Sequence, residues 1–162
     1  MNKQVIISVL KIFLATCLTC SCKPDLYKII DKYVKENCSH ADTCSVFLKD
    51  ITNFRWDKFY IIYMGQNVSE IIGRSYPYDT DLSEVIIFLK DGKIVYHKRI
   101  LYHPEKMPKV TFSMRGNDYH VNDYKYMSFL SDEAHFYIRK IGYDKENYLM
   151  YPIVYNKLKC NK

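Results

Sequence analysis

Histidine and cysteine are the residues of this chain best suited to catalysis or metal binding, and their spacing decides which of these is open to them. The five histidines are dispersed, at His40, His97, His103, His120 and His135, without a His-x-His or His-x-x-x-His pair. No nucleophile elbow, phosphate loop, zincin helix or dinucleotide fingerprint occurs either. An enzyme would need two or more of the last four histidines to converge with an acid or with Cys160. The sequence therefore predicts no catalytic residue and no cofactor.

A group of potential metal ligands lies at alternate positions: Cys38, His40, Asp42 and Cys44. Zinc sites favour tighter, paired spacings such as Cys-x-x-Cys, and no later residue completes this set, so we predict no metal site. An oxidising compartment instead favours one disulfide among Cys38, Cys44 and Cys160. A Cys38–Cys44 bridge across a polar turn is the first choice, and pairing of Cys160 with either is the second.

The only tryptophan lies in the segment Asn53-Phe54-Arg55-Trp56-Asp57. In an extended chain, Phe54 and Trp56 point to one side and Arg55 and Asp57 to the other. This pattern predicts that Trp56 is a core anchor at the edge of a sheet. The functional alternative is a binding patch formed by Arg55 and Trp56.

The first 21 residues have the composition of a targeting segment. They contain an apolar stretch, two lysines (Lys3 and Lys11) and no acid. The apolar run after Lys11 is shorter than the roughly 20 residues of a transmembrane helix, so the segment looks like a secretory signal peptide. We expect residues 1–21 to be this signal and residues 22–162 to form one domain.

Three cysteines, Cys17, Cys20 and Cys22, precede a sharp change to a polar composition. This arrangement resembles a bacterial lipoprotein signal, in which small residues precede a cysteine that is diacylated and starts the mature chain. Cys22 is the first choice for lipidation, because it follows Ser21 at the composition boundary, and Cys17 is the second. Two acyl chains would hold the protein stably at a membrane. The alternative is an ordinary cleaved signal with incidental cysteines.

Composition and charge restrict the possible partners of the mature chain. The 162 residues are 48% hydrophobic, with 24 Lys and Arg against 18 Asp and Glu, which fits one globular domain with a real core. Removal of residues 1–21 takes away two lysines and lowers the formal net charge from +6 to +4. Basic and acidic residues are interspersed and no basic block occurs, so no nucleic-acid partner is predicted.

Hydrophobic periodicity predicts an α+β domain, in which an N-terminal amphipathic helix packs on a mostly antiparallel sheet or meander. The helix spans residues 24–36, with its apolar stripe expected on the sheet; contact of this stripe with lipid is the alternative. Strands are expected at residues 45–51, 58–64, 84–90, 93–101, 109–114, 124–130, 135–141 and 148–155, and a short helix at 66–73. Asp91-Gly92 predicts a two-residue hairpin, and further turns are expected near residues 116–118, 131–134 and 142–147.

Residues 51–95 contain three motifs in sequence. A Phe-x-Trp-Asp-x-x-Tyr strand starts at Phe54, a short helix contains Glu70-Ile71, and a strand-Gly-Lys-strand hairpin contains Gly92. In these motifs the chain resembles a group of small uncharacterised bacterial exported proteins and lipoproteins. The resemblance implies a location in the cell envelope and no established reaction.

Together these features predict a non-catalytic lipoprotein of a bacterial cell envelope, exported and held at a membrane by its N-terminal lipid. We expect it to act as an accessory factor that binds a protein partner. The alternatives are an immunity protein that binds one cognate toxin and an unrecognised envelope hydrolase.

Overall fold

The computed structural model describes residues 25–38, 43–78, 81, 83–101, 103, 109–113, 125–141 and 147–153. Within these residues the chain forms three helices and eight strands: α1 Leu26–Asn37, β1 Thr43–Phe47, α2 Leu48–Ile51, β2 Lys58–Ile62, α3 Val68–Ile72, β3 Ser83–Lys90, β4 Lys93–Leu101, β5 Val110–Phe112, β6 Tyr126–Leu130, β7 His135–Ile141 and β8 Asn147–Pro152. This confirms the predicted α+β class with mostly antiparallel strands and a packed N-terminal helix. None of the described helices is long and apolar enough to cross a membrane.

Helix α1, predicted over residues 24–36, begins two residues later than predicted and ends one residue later. Asp25 is its N-cap, and the Asp25 side chain accepts a hydrogen bond from the Tyr27 N–H, so the helix starts at Leu26. Leu26, Ile30 and Val34 are buried, as expected for the apolar stripe of an amphipathic helix. The stripe therefore packs on the strands, as predicted, and not on lipid.

The strands form two sheets instead of one continuous meander. The first sheet has the order β1-β7-β8-β5, and the second has the order β4-β3-β2-β6. All pairs are antiparallel except β5 with β8, which are parallel. The pairs β2–β3, β3–β4 and β7–β8 join strands that are consecutive in the chain, whereas β1–β7, β2–β6 and β5–β8 join strands that are distant in the sequence.

Aromatic side chains fill the space between the two sheets. Phe59 of β2 is fully buried, with its ring centroid 4.5 Å from Phe88, 5.8 Å from Phe112 and 6.2 Å from Phe136. Phe129 and Phe136 meet across the sheets at 5.0 Å. Phe112 and Phe136 belong to the first sheet and the others to the second, so these rings hold the two sheets together.

A smaller apolar cluster covers the opposite face of the second sheet. It consists of Tyr60, Ile62, Val68, Ile72, Tyr76, Val85, Ile87 and Leu89. Helix α3 contributes two of these residues. Its N-cap is Asn67, and it ends at Gly73, whose positive φ of 69° is a left-handed conformation that favours glycine. The predicted helix at 66–73 is thus present, and both faces of the second sheet are covered.

One predicted strand was wrong in part. The sequence predicts a strand over residues 45–51, whereas β1 ends at Phe47 and Leu48–Ile51 form the single helical turn α2. The Leu48 N–H donates to the Ala134 carbonyl, and the Thr52 N–H donates to the Leu48 carbonyl, each at 3.0 Å. Leu48 is fully buried in this helical turn. A buried apolar residue at this position is compatible with a turn or a strand, so the hydrophobic pattern could not distinguish them.

The other seven predicted strands are present, with ends within three residues of the prediction. Residues 114, 124 and 154–155 of those predictions lie outside the described residues. The Asp91-Gly92 hairpin is confirmed, with φ angles of 47° and 67°, as a type I′ turn requires. The turn at residues 131–134 is also present. Residues 116–118 and residues 142–146 of the turn expected at 142–147 lie outside the described residues, and Asn147 begins β8.

Cys38 and Cys44 form a disulfide, the pairing that the sequence places first. Cys38 caps the end of α1 and Cys44 lies in β1, so the bridge fastens the helix to the first sheet. The Cys38 carbonyl also accepts a hydrogen bond from the Lys140 side chain at 2.9 Å. Cys160, Cys22 and Cys17 lie outside the described residues.

Candidate functional site

A cleft of about 530 Å³ opens at one end of the second sheet, where β3 ends at Lys90 and β6 ends at Leu130. It is lined by Lys49, Thr52, Asn53, Phe54, Arg55, Trp56, Lys90 and Ser131. The connection between α2 and β2 supplies most of this lining. The structure therefore brings both residues of the predicted patch, Arg55 and Trp56, to one cleft.

Trp56 forms part of the fixed wall of the cleft. Its side chain is only 6% exposed, and its ring packs edge-on against Phe88 at 5.0 Å and against Phe59 at 6.2 Å. The indole N–H donates a 2.9 Å hydrogen bond to the hydroxyl of Thr52. Trp56 is thus a core residue that lines the cleft, and it is not a freely exposed docking ring.

The charged side chains that line the cleft are all cations. Arg55 and Lys49 are exposed, and the Lys49 ammonium lies 5.3 Å from the centre of the Phe47 ring. The Lys90 ammonium lies 3.6 Å from Asp57 and 3.4 Å from Asp91, so its charge is partly neutralised. Arg55 and Lys49 consequently provide most of the positive potential that an incoming group would meet.

Asp57 fixes the shape of the cleft. Its carboxylate accepts a 2.7 Å hydrogen bond from the Asp91 N–H. Its own N–H donates to the Leu89 carbonyl at 2.9 Å, and its carbonyl accepts from the Ser131 N–H at 3.1 Å. The α2–β2 connection is thereby tied to the ends of two strands. Sequence reasoning missed this role, although aspartate next to a strand is a known turn-forming residue.

Of the four histidines that the enzyme alternative would require, His97 belongs to an aromatic cluster on the outer side of the second sheet. The Tyr76 hydroxyl is hydrogen-bonded to His97 Nδ1 at 3.2 Å, and the Tyr78 ring stacks on the His97 ring at 5.4 Å. The Arg99 guanidinium lies 5.6 Å from the centre of the Tyr78 ring. Tyr76 and Tyr78 also line a second cleft, of about 340 Å³, beside Asp81.

His135 lies on the other sheet, in β7. Its ring stacks on Phe47 with centroids 3.9 Å apart. Burial lowers the pKa of His135, and the nearby Asp50 carboxylate opposes part of this effect. Because Phe136 faces the core, strand alternation turns His135 to the outer face of the first sheet. His97 and His135 are therefore not brought together.

The remaining sequence candidates contribute no site that the structure can place. His103 is described and exposed, whereas His40, Asp42 and His120 lie outside the described residues. In the described part of the chain, no group of three or more His, Cys, Asp or Glu side chains is placed to hold a metal ion. The cleft lined by Lys49, Arg55 and Lys90, called the cationic cleft below, is therefore the candidate site. It combines a fixed aromatic wall with exposed side chains that can bind an anion.

Comparison of the chain with protein-family models, curated proteins and solved structures finds no match. The resemblance of residues 51–95 to exported bacterial proteins therefore stays a prediction. The function has to be argued from the cleft and the fold.

Proposed function

We propose that this chain is a non-catalytic factor of a bacterial cell envelope that binds an acidic segment of a protein partner in the cationic cleft. The observation that carries this proposal is that every charged side chain lining the cleft is a cation, while Trp56 and Asp57 hold its walls in place. A preformed site loses little conformational entropy on binding, so its few contacts contribute efficiently to affinity.

The composition of the cleft favours a protein partner. Arginine and aromatic residues are enriched where proteins bind one another, and exposed cations at the rim steer an acidic partner toward the site. Arg55 can form two parallel hydrogen bonds to one carboxylate, and Lys49 adds a second positive charge beside it. Three cations among interspersed acids are too few to follow a nucleic-acid backbone.

The proposed location rests on the sequence. A signal over residues 1–21 followed by lipidation at Cys22 would place the domain at a membrane surface, with only two residues between the lipid-bearing cysteine and the cap of α1 at Asp25. The Cys38–Cys44 disulfide supports an oxidising compartment. The anchor is tested by intact mass of the protein from membranes: we expect a chain that starts at Cys22 with added acyl mass, lost in Cys22→Ala. An unmodified soluble chain would contradict it.

Binding through the cleft is tested by photo-crosslinking in the envelope of the native host. A photoreactive amino acid replaces Asn53, an exposed residue of the cleft. The matched control carries the same probe at Glu70, an exposed residue of α3 on the opposite side of the second sheet.

We expect a discrete adduct with one protein from position 53 and none from position 70. If that protein is a toxin, the immunity role becomes the specific form of the proposal. Equal adducts from both positions, or none from position 53, would contradict binding in the cleft.

A further inference from the structure

The first turn of α1 is fastened to β4 by polar contacts. The Lys98 ammonium contacts both carboxylate oxygens of Asp25, at 2.6 and 2.7 Å, and lies 3.8 Å from the centre of the Tyr27 ring. The Leu26 N–H donates to the Tyr96 hydroxyl at 3.0 Å. Burial opposes ionisation of Asp25, but the bonds from Lys98 and from the Tyr27 N–H outweigh it and lower the pKa of this carboxyl.

Glu84 of β3 lies beside this junction. In the β3–β4 register Ile86 is opposite Lys98 and Glu84 is opposite Ile100, so Glu84 and Lys98 are diagonal neighbours. Both side chains lie on the face of Ile86, which belongs to the core between the sheets. Diagonal neighbours have Cβ atoms roughly 7–8 Å apart, a distance that extended glutamate and lysine side chains can bridge. Lys98 therefore has a second carboxyl group within reach.

Two polar atoms under the first turn lack partners. The Glu84 Oε1 and the Tyr27 hydroxyl are buried, and neither has a hydrogen-bond partner. Burial raises the pKa of Glu84 to about 8. Burial also raises the pKa of Tyr27, and a charge on Glu84 would raise it further. At neutral pH Glu84 is thus largely protonated, so it carries no negative charge that would pair with the Lys98 ammonium.

We propose that Glu84 is a buried proton-binding site that controls whether the first turn of α1 stays fastened to β4. While Glu84 is protonated, Lys98 remains paired with Asp25. When Glu84 releases its proton to solvent, the new carboxylate draws Lys98 away, and the cap of α1 loses its cation. Three titratable groups lie next to Glu84: Tyr27 of α1, Lys98 at the diagonal position of β4, and Tyr63, which follows β2 and continues its register opposite Glu84. Asp25 and Tyr96 lie on the other side of Tyr27.

This junction has two arrangements because one lysine serves two carboxyl groups. An ionised carboxylate buried without a partner is strongly unfavourable, so re-pairing with Lys98 or exposure to water must follow ionisation. Either event opens the first turn of α1. If Cys22 carries a lipid, as proposed above, this turn connects the membrane anchor to the domain. That consequence rests on the proposed function, whereas the switch itself does not.

The switch is tested by hydrogen–deuterium exchange of the full chain at pH 6.5 and 9.0, corrected for the intrinsic pH dependence of exchange. The signal is the protection of the first-turn amides of α1 relative to those of β3. We expect this protection to fall at least tenfold at the higher pH in the wild type and to stay constant in Glu84→Gln. Glu70→Gln, which removes an exposed carboxyl, is the matched control and should behave as the wild type.

A second variant keeps the test independent of Glu84. In Lys98→Met the first turn has no cation to lose, so we expect low protection at both pH values and a much smaller difference between them. An undiminished pH effect in Glu84→Gln, or no selective loss in the wild type, would overturn the proposal. Equal loss of protection in β3 would also overturn it, because the whole fold and not the first turn would then be opening.

Discussion

Replacement of Glu84 by glutamine should stabilise the fold increasingly as the pH rises from 5 to 8. Glutamine has nearly the shape of protonated glutamate but cannot ionise, so it retains the packing of β3 and removes the buried charge. In the wild type the Glu84 Oε1 is buried without a hydrogen-bond partner, and Lys98 is already paired with Asp25, so ionisation of Glu84 is unfavourable.

The magnitude follows from the shift in pKa. The ordinary pKa of 4.5 is raised to about 8 in the folded chain, so the folded state holds a proton that the unfolded state has released. This contribution to stability is complete below pH 4.5 and is lost as the pH rises to about 8. At about 1.36 kcal/mol for each pH unit, the loss is roughly 3 kcal/mol by pH 7 and roughly 4 kcal/mol by pH 8. These values are upper limits, because an opened first turn would hydrate the carboxylate.

The assay is urea-induced unfolding at one-unit steps from pH 5 to 9, followed by the fluorescence of Trp56, the only tryptophan and a buried one. The free energy of unfolding of Glu84→Gln minus that of the wild type should increase with pH up to about 8. Asp25, whose pKa is lowered, is ionised in the folded and the unfolded chain throughout this pH range, so its own titration does not contribute to the difference. A difference that is constant across this pH range would refute the reasoning.

Three further changes test other parts of the structure. Replacement of both Cys38 and Cys44 by serine should lower the free energy of unfolding by roughly 2 kcal/mol, since the bridge closes a short loop; reductant should reproduce the loss in the wild type and leave the variant unchanged. Phe59→Ala should cost about 3–5 kcal/mol in the same unfolding assay, because its ring lies between the two sheets, and a cost below about 1 kcal/mol would contradict that position. Asp25→Ala should cost about 1–2 kcal/mol through loss of the helix cap and of the bond from Lys98, and unchanged stability with unchanged helix content in circular dichroism would show that the cap is dispensable.

Local sequence patterns predicted most of the elements but not their assembly. The i, i+3, i+4 stripe predicted α1, and Asp91-Gly92 predicted the β3–β4 hairpin, because both signals lie within one element or one turn. The division into two sheets depends on pairings such as β1 with β7, which join segments about ninety residues apart in the chain. Alternation of side chains shows that a strand has a buried face, but it does not show which strand lies beside it.

The candidate site was predictable to a smaller extent. The alternation around Trp56 separated a buried tryptophan from an exposed Arg55, and the structure bears out that separation. Lys90 and Ser131 join the same cleft only because β3 and β6 end beside the α2–β2 connection. The burial of Glu84 was not predictable from the sequence. A single acidic residue in an apolar strand is expected to face solvent, and its burial depends on the packing of the surrounding elements.

Binding in the cleft is tested most directly by the effect of cleft charge on cross-linking in the envelope. Cross-linking from position 53 is compared between the wild-type lining, the double reversal Lys49→Glu with Arg55→Glu, and a matched reversal of two exposed lysines, Lys28→Glu with Lys125→Glu. Reversal in the cleft should lower the adduct at least tenfold, while the matched reversal should leave it within twofold of the wild type. Equal adduct in all three proteins would contradict the claim that the cationic cleft binds an acidic partner.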